Sequence, residues 1–117
     1  MNTKAKKYEV WLADLNPSYG TEAGKTRPVL VVQSDFLNKV HPSTLICPIT
    51  TNVKHESRIL RVHLKKGVAK VNQDSDVMID QLRAIDNKRL LKKIGDIPEV
   101  LIERVKENIK IILDLED

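Results

Sequence analysis

The chain has 117 residues, 41% hydrophobic and 31% charged, with a net charge of +4; that composition belongs to one globular domain, too short for two cores and too apolar for general disorder. A lone cysteine, Cys47, rules out an internal disulfide and suits a cytoplasmic location, and no apolar run nears the roughly 18 residues of a membrane helix, so no membrane partner is expected. Charge is uneven, with 12 Lys/Arg against 5 Asp/Glu in residues 1–70 and 8 against 11 in residues 71–117, which suits a polyanion on one face and something different on another.

The opening "MNTKAKK" is basic with no apolar stretch behind it, so no secretory signal is expected. Residues 1–7 are expected to be a flexible basic tail and residues 8–117 a single domain. Residues 8–15 read as a strand closed by Asn16-Pro17-Ser18. Residues 28–33, "PVLVVQ", are apolar on both faces, the mark of a central strand. Residues 35–40 predict a short helix stopped by Pro42, and residues 44–49 a third strand, with Pro48 arguing for an edge or a bulge.

Residues 58–64 alternate Ile59, Arg61 and His63 against Leu60, Val62 and Leu64, the period of a half-buried strand. Residues 76–83 predict a fifth strand, after turn residues Gly67 and Asn72. Residues 84–95, "AIDNKRLLKKIG", predict a short helix ending at Gly95. The last segment is the clearest. Pro98 opens a helix without losing a hydrogen bond and Glu99 suits its first turn. Leu101, Val105, Ile109 and Ile112 recur at helical spacing, widened by Ile102 and Leu113. Residues 98–115 then make a helix of roughly 27 Å. The class is mainly β with α: a small, curled antiparallel sheet with one long helix packed on it.

Chemistry has few places to sit. His41, His55 and His63 lack metal-ligand spacing, and phosphate-loop, dinucleotide and nucleophile-elbow motifs are absent. Neither a metal nor a cofactor is expected. Tyr8, Trp11, Tyr19 and Phe36 are the only aromatics, so any base-stacking surface is small. The stretch "GTEAGKTRPVLVVQ" stands out. Pro28 pushes Arg27 into an extended conformation at the mouth of a rigid strand, and a guanidinium has the planar fork that suits a phosphate. Glu22 lies five residues upstream on a loop that Gly20 and Gly24 are expected to leave mobile. A carboxylate and a guanidinium at one phosphodiester can supply proton transfer and charge stabilisation. A plain Glu22–Arg27 ion pair explains the same spacing.

"VWLADLNPSYGTEAGKTRPVLVVQSD", then "TLICPIT", then "DQLRAIDNKRLLKKIG", in that order, resemble the MazF/PemK family of toxin endoribonucleases. The resemblance spans nearly the whole chain. It implies an SH3-like small β-barrel with a long C-terminal helix, and a homodimer. It also implies metal-independent cutting of single-stranded RNA, often messenger RNA, at short sequences. The 2′-hydroxyl attacks its own phosphate, leaving a 2′,3′-cyclic phosphate and a 5′-hydroxyl. A cognate MazE-like antitoxin with a flexible acidic tail is the implied partner. The family's catalytic arginine falls on Arg27, its loop glutamate on Glu22 and its strand-end threonine on Thr50. Tyr19, Thr21, Asp80 and Gln81 match RNA-contacting positions, and Lys25 and Thr51 join them as candidates.

Two other readings remain. The related CcdB-type toxins share the barrel and poison DNA gyrase through a C-terminal tryptophan, whereas this chain closes with the acidic "ILDLED". A non-catalytic RNA-binding module needs only the basic face.

Overall fold

Among the described residues, seven short antiparallel strands lead to a C-terminal helix. The computed structural model describes residues 5–115. The strands are β1 (Glu9–Asp14), β2 (Thr26–Val31), β3 (Ser43–Thr50), β4 (Arg61–Leu64), β5 (Ser75–Met78), β6 (Arg83–Asp86) and β7 (Leu90–Asp96). Helix α1 (Asp35–Asn38) follows β2 and helix α2 (Glu99–Leu113) follows β7. The order is β4-β5-β3-β2-β1-β7, with β6 also paired to β3. Among the described residues the sheet curls like a barrel with no ladder between β4 and β7 to close it.

β2 is apolar on both faces because each face meets a core. Val10, Leu30, Cys47 and Ile49 join Val62, Leu64 and Val77 in one cluster, and Ala13, Val29, Val31 and Ile46 join Leu15, Ile85 and Leu90 in the other. Each such fully buried Val, Leu or Ile contributes about 1.5–3 kcal/mol of transfer free energy. Helix α2 packs on the first cluster through buried Val105, with Leu101, Ile102, Ile109 and Ile112 beside it. Leu113, expected on that stripe, is exposed. Buried Asn108 takes a place there and donates to the carbonyls of Arg58 and Arg61.

The helix expected over residues 84–95 does not form. Those residues make β6, a 3₁₀ turn (Asn87–Arg89) and β7. Residues of good helix propensity are claimed by two ladders, Ser43↔Asp86 to Ile46↔Arg83 on β3 and Glu9↔Asp96 to Ala13↔Leu90 on β1. Tertiary pairing outweighs a preference worth a few tenths of a kcal/mol per residue. Gly95 is therefore no helix cap: a Cβ there would lie 2.5 Å from the Ala69 carbonyl oxygen, in the turn Val68–Lys70. The strand expected over 76–83 stops at Met78 and turns through Ile79–Gln81 before β6, and that expected over 58–64 starts only at Arg61.

Pro48 lies neither on an edge strand nor at a recorded bulge. Along one side of β3, β6 pairs with residues 43–46 and β5 with residues 49–50. Pro48 falls between them, where neither neighbour takes a ladder bond. Of the expected tail, residues 1–4 lie outside the described residues. Ala5 is buried, and the N–H groups of Lys6 and Lys7 donate to Glu9 Oε1 and Asp35 Oδ1, each at 2.8 Å. The packed chain thus includes Ala5, upstream of the expected boundary. Among the described residues no helix is long and apolar enough to cross a membrane.

Candidate functional site

Strand register brings the candidate residues together. β1 and β2 pair Ala13 with Arg27, β3 and β5 pair Thr50 with Asp76, and β5 and β4 pair Asp76 with His63. β2 and β3 pair Val31↔Ile46, Leu30↔Cys47 and Val29↔Pro48; the same register continued two residues sets Arg27 in line with Thr50. Residues opposite one another point to the same face. Ala13, Arg27, Thr50, Asp76 and His63 therefore form one row across five strands.

The β1–β2 loop, which leads into the row at Arg27, is held by hydrogen bonds. Leu15 N–H donates to the Lys25 carbonyl at 2.9 Å, and Lys25 N–H to Asn16 Oδ1 at 2.8 Å. Arg89 Nη1 donates to the carbonyls of Asp14 and Asn16. Gly24 is needed for close approach: a Cβ there would lie 2.7 Å from Ser18 Oγ. Gly20 supplies a left-handed turn at φ +54°. These hydrogen bonds tie both ends of the loop expected to be mobile.

Arg27 Nε donates to the Gly24 carbonyl at 2.8 Å, which fixes the guanidinium against the loop and leaves its two terminal nitrogens for a ligand. Glu22 Oε1 accepts from Tyr19 N–H at 3.0 Å, and Glu22 N–H donates to the Tyr19 carbonyl at 2.9 Å. Among the described residues Glu22 and Arg27 form no ion pair, so their spacing is not explained by one. Thr50 Oγ1 accepts from Asn52 N–H at 3.1 Å, leaving its hydroxyl hydrogen free to donate.

The remaining candidates are placed unequally. Tyr19 is 85% exposed at the loop tip, a ring free to stack. Thr21, Lys25 and Asp80 are exposed, and Lys25 holds a left-handed φ of 69°. Gln81 has both ends of its amide engaged: Oε1 accepts from Ala23 N–H at 3.0 Å and Nε2 donates to the Thr21 carbonyl at 2.8 Å. Thr51 lines a cleft of about 370 Å³ with Leu12, Pro28 and Ile49. That cleft is on the face opposite Arg27. Cys47 is chemically quiet; burial first, then the charge of Asp80, pushes its thiol up to about 12.

Sequence reasoning missed Arg83. It pairs with Ile46, on the face of Arg27 and Thr50, two residues beyond Gln81. Its Nη1 is buried with no hydrogen-bond partner. No spacing or motif marks this; only the fold shows which arginine is left without an acceptor. Among the described residues no group of three or more His, Cys, Asp or Glu is arranged to hold a metal ion. A fixed guanidinium in line with a free hydroxyl can bind a phosphodiester, and a carboxylate on the loop bonded to that guanidinium can move a proton.

Residues 6–113 match the family of PemK-like, MazF-like toxins of type II toxin–antitoxin systems. The chain is similar to endoribonuclease EndoA of Bacillus subtilis (strain 168), 33% identical over 112 residues that cover 96% of this chain and 97% of that protein. Endoribonuclease MazF of Staphylococcus epidermidis is 34% identical over 107 residues, 92% of this chain and 89% of its own. A chain of the MazE–MazF crystal structure from Deinococcus radiodurans shares the fold at a TM-score of 0.78 and 22% identity, over 98% of this chain and 100% of that one.

Proposed function

The chain belongs to the PemK-like, MazF-like toxin family of type II toxin–antitoxin systems, and from that premise we propose that it is an endoribonuclease that cuts single-stranded RNA at short sequences in the cytoplasm, without a metal. The observation that carries this reading is the row that sets Arg27 in line with Thr50. The relatives named as endoribonucleases support the activity. Messenger RNA is the expected target.

In the proposed reaction the ribose 2′-oxygen attacks the adjacent phosphorus. The P–O2′ bond forms and the P–O5′ bond breaks, leaving a 2′,3′-cyclic phosphate; the departing oxygen takes up a proton as a 5′-hydroxyl. Arg27 neutralises the phosphorane oxygens and Thr50 donates to one of them. Loss of a donor of this kind costs on the order of 10²–10³ in rate. A guanidinium stays charged in proteins and so is a poor base. Glu22 takes the 2′-hydroxyl proton, its Oε2 being the oxygen not engaged by Tyr19. Arg83 adds a second positive charge on the same face, its buried Nη1 lying out of reach of a phosphate oxygen. Tyr19 stacks a base, worth roughly 1–3 kcal/mol, and Asp80 meets a base amino group rather than a phosphate.

The toxin works as a homodimer and is silenced by a MazE-like antitoxin whose acidic tail competes with RNA for the basic face. Purified protein incubated in EDTA with a long single-stranded RNA tests the reading. Discrete cuts ending in cyclic phosphates, absent in Arg27→Ala, are expected. A 2′-deoxy residue at the cut should abolish cleavage; continued cutting would make water the nucleophile. Binding without cutting leaves a non-catalytic module, and trapped gyrase–DNA complexes in cells would favour a CcdB-like poison.

A further inference from the structure

We propose that the pocket under the β3–β4 connection is a second phosphate subsite, which grips the RNA strand away from the cut. The proposal rests on the ribonuclease reading. The pocket measures about 240 Å³ and is lined by Lys54, His55, Arg58, Arg61, His63 and Arg104 around buried Asp76.

The floor is built, not incidental. Asp76, 1% exposed, accepts from Lys54 N–H at 2.8 Å and from Arg61 Nη1 at 3.2 Å, and faces His63 Nδ1 at 3.2 Å. Arg61 Nη1 also donates to the Asn52 carbonyl at 2.9 Å. From the helix side, Asn108 donates to the Arg58 carbonyl at 3.1 Å. The single negative charge is thus matched by Arg61. Lys54, Arg58 and Arg104 remain, with no ion pair among the described residues. With Asp76 matched by Arg61, the lining carries an excess of positive charge that an anion entering the pocket would meet.

Its place selects the anion. Asp76 is the cross-strand neighbour of Thr50, and His63 stands one strand further, roughly 10 Å from Thr50 at the usual strand spacing. The same connection that caps Thr50 through Asn52 N–H is anchored to Arg61 through the Asn52 carbonyl. A strand lying over Arg27 and Thr50 therefore runs on into the pocket. A phosphodiester one or more nucleotides from the cut is the ligand this continuity favours over an acidic peptide.

The test compares wild type with Arg58→Gln/Arg104→Gln, two exposed positions outside the catalytic row. Fluorescein-labelled 2′-deoxy oligonucleotides, which carry the phosphates but cannot be cut, are titrated by anisotropy across a salt series. On a dodecanucleotide the variant should lose about 0.7 in salt slope for each phosphate contact removed; on a tetranucleotide the two proteins should agree. With long RNA the variant should show a raised KM and an unchanged kcat. Equal slopes on the dodecanucleotide overturn the proposal, as do equal losses on both lengths, which would put the two arginines at the cut itself. A changed mass in sedimentation also overturns it, since the pocket would then be a subunit contact. A wild type that shows the length-dependent slope but cuts nothing fails the nuclease reading and leaves the subsite standing.

Discussion

Gln81 brackets Glu22 without touching it: its amide holds the Ala23 N–H at 3.0 Å and the Thr21 carbonyl at 2.8 Å. A side chain expected to read RNA is occupied in setting where the loop carboxylate stands. Gln81→Ala should lower kcat/KM about 10²-fold, the scale on which a small misplacement near the chemistry is felt. Stability should fall by only about 1 kcal/mol per lost bond. Gln81→Glu keeps the acceptor for Ala23 and loses the donor to Thr21, so it should fall between. An altered cutting sequence at an unchanged rate would return Gln81 to base recognition.

Arg83→Met should stabilise the free protein and weaken its action on RNA together. A buried donor without a partner costs about 1–3 kcal/mol, and methionine removes that cost while filling much of the same space. The melting temperature should rise as cleavage and RNA affinity fall. A lower melting temperature would mean that the guanidinium has an acceptor in the free protein and is structural.

Gly95→Ala tests how β7 meets the Val68–Lys70 turn. The added methyl carbon would stand 2.5 Å from the Ala69 carbonyl oxygen, a backbone atom that cannot rotate away. Overpacking of this kind costs about 1–3 kcal/mol. The denaturant midpoint should drop accordingly, with cleavage per folded molecule unchanged. An unmoved midpoint would show that the turn yields freely.

Glu9 links stability to pH. Burial alone would raise its carboxyl, but hydrogen bonds from the Trp11 indole, the Lys6 N–H and Lys93 outweigh it and hold the group below the usual range. A depressed folded-state value means that the stabilisation is present above the unfolded value of about 4.3 and is lost as pH falls through the folded one. Glu9→Gln should therefore melt below wild type at neutral pH, with the gap closing in acid. A gap constant across pH would make the contact one of shape alone.

How much of this could be read beforehand depends on where the deciding interactions lie. β2 and α2 are legible because an unbroken Val/Leu run and a helical apolar stripe have few other uses. The segment 84–95 is not, since its Lys and Leu residues prefer a helix locally and become strands only through partners some 40 residues upstream on β3 and some 80 upstream on β1. Arg27 is legible from the proline after it. The engagement of Gln81, the open donor of Arg83 and the cations around Asp76 all depend on register between distant strands, which no local pattern carries. The same holds for Thr51: next to Thr50 in sequence, it opens onto the other face.

β3 exchanges one companion for another at Pro48, and this divides its inheritance. The half beside β6 answers to the buried Ile46 and Thr44, the half beside β5 to Thr50. Changes at Thr44, opposite Ile85, fall on the interior, whereas changes at Ile46, opposite Arg83, are felt on the reactive face, so a lineage of such proteins is freer to drift at the first position than at the second.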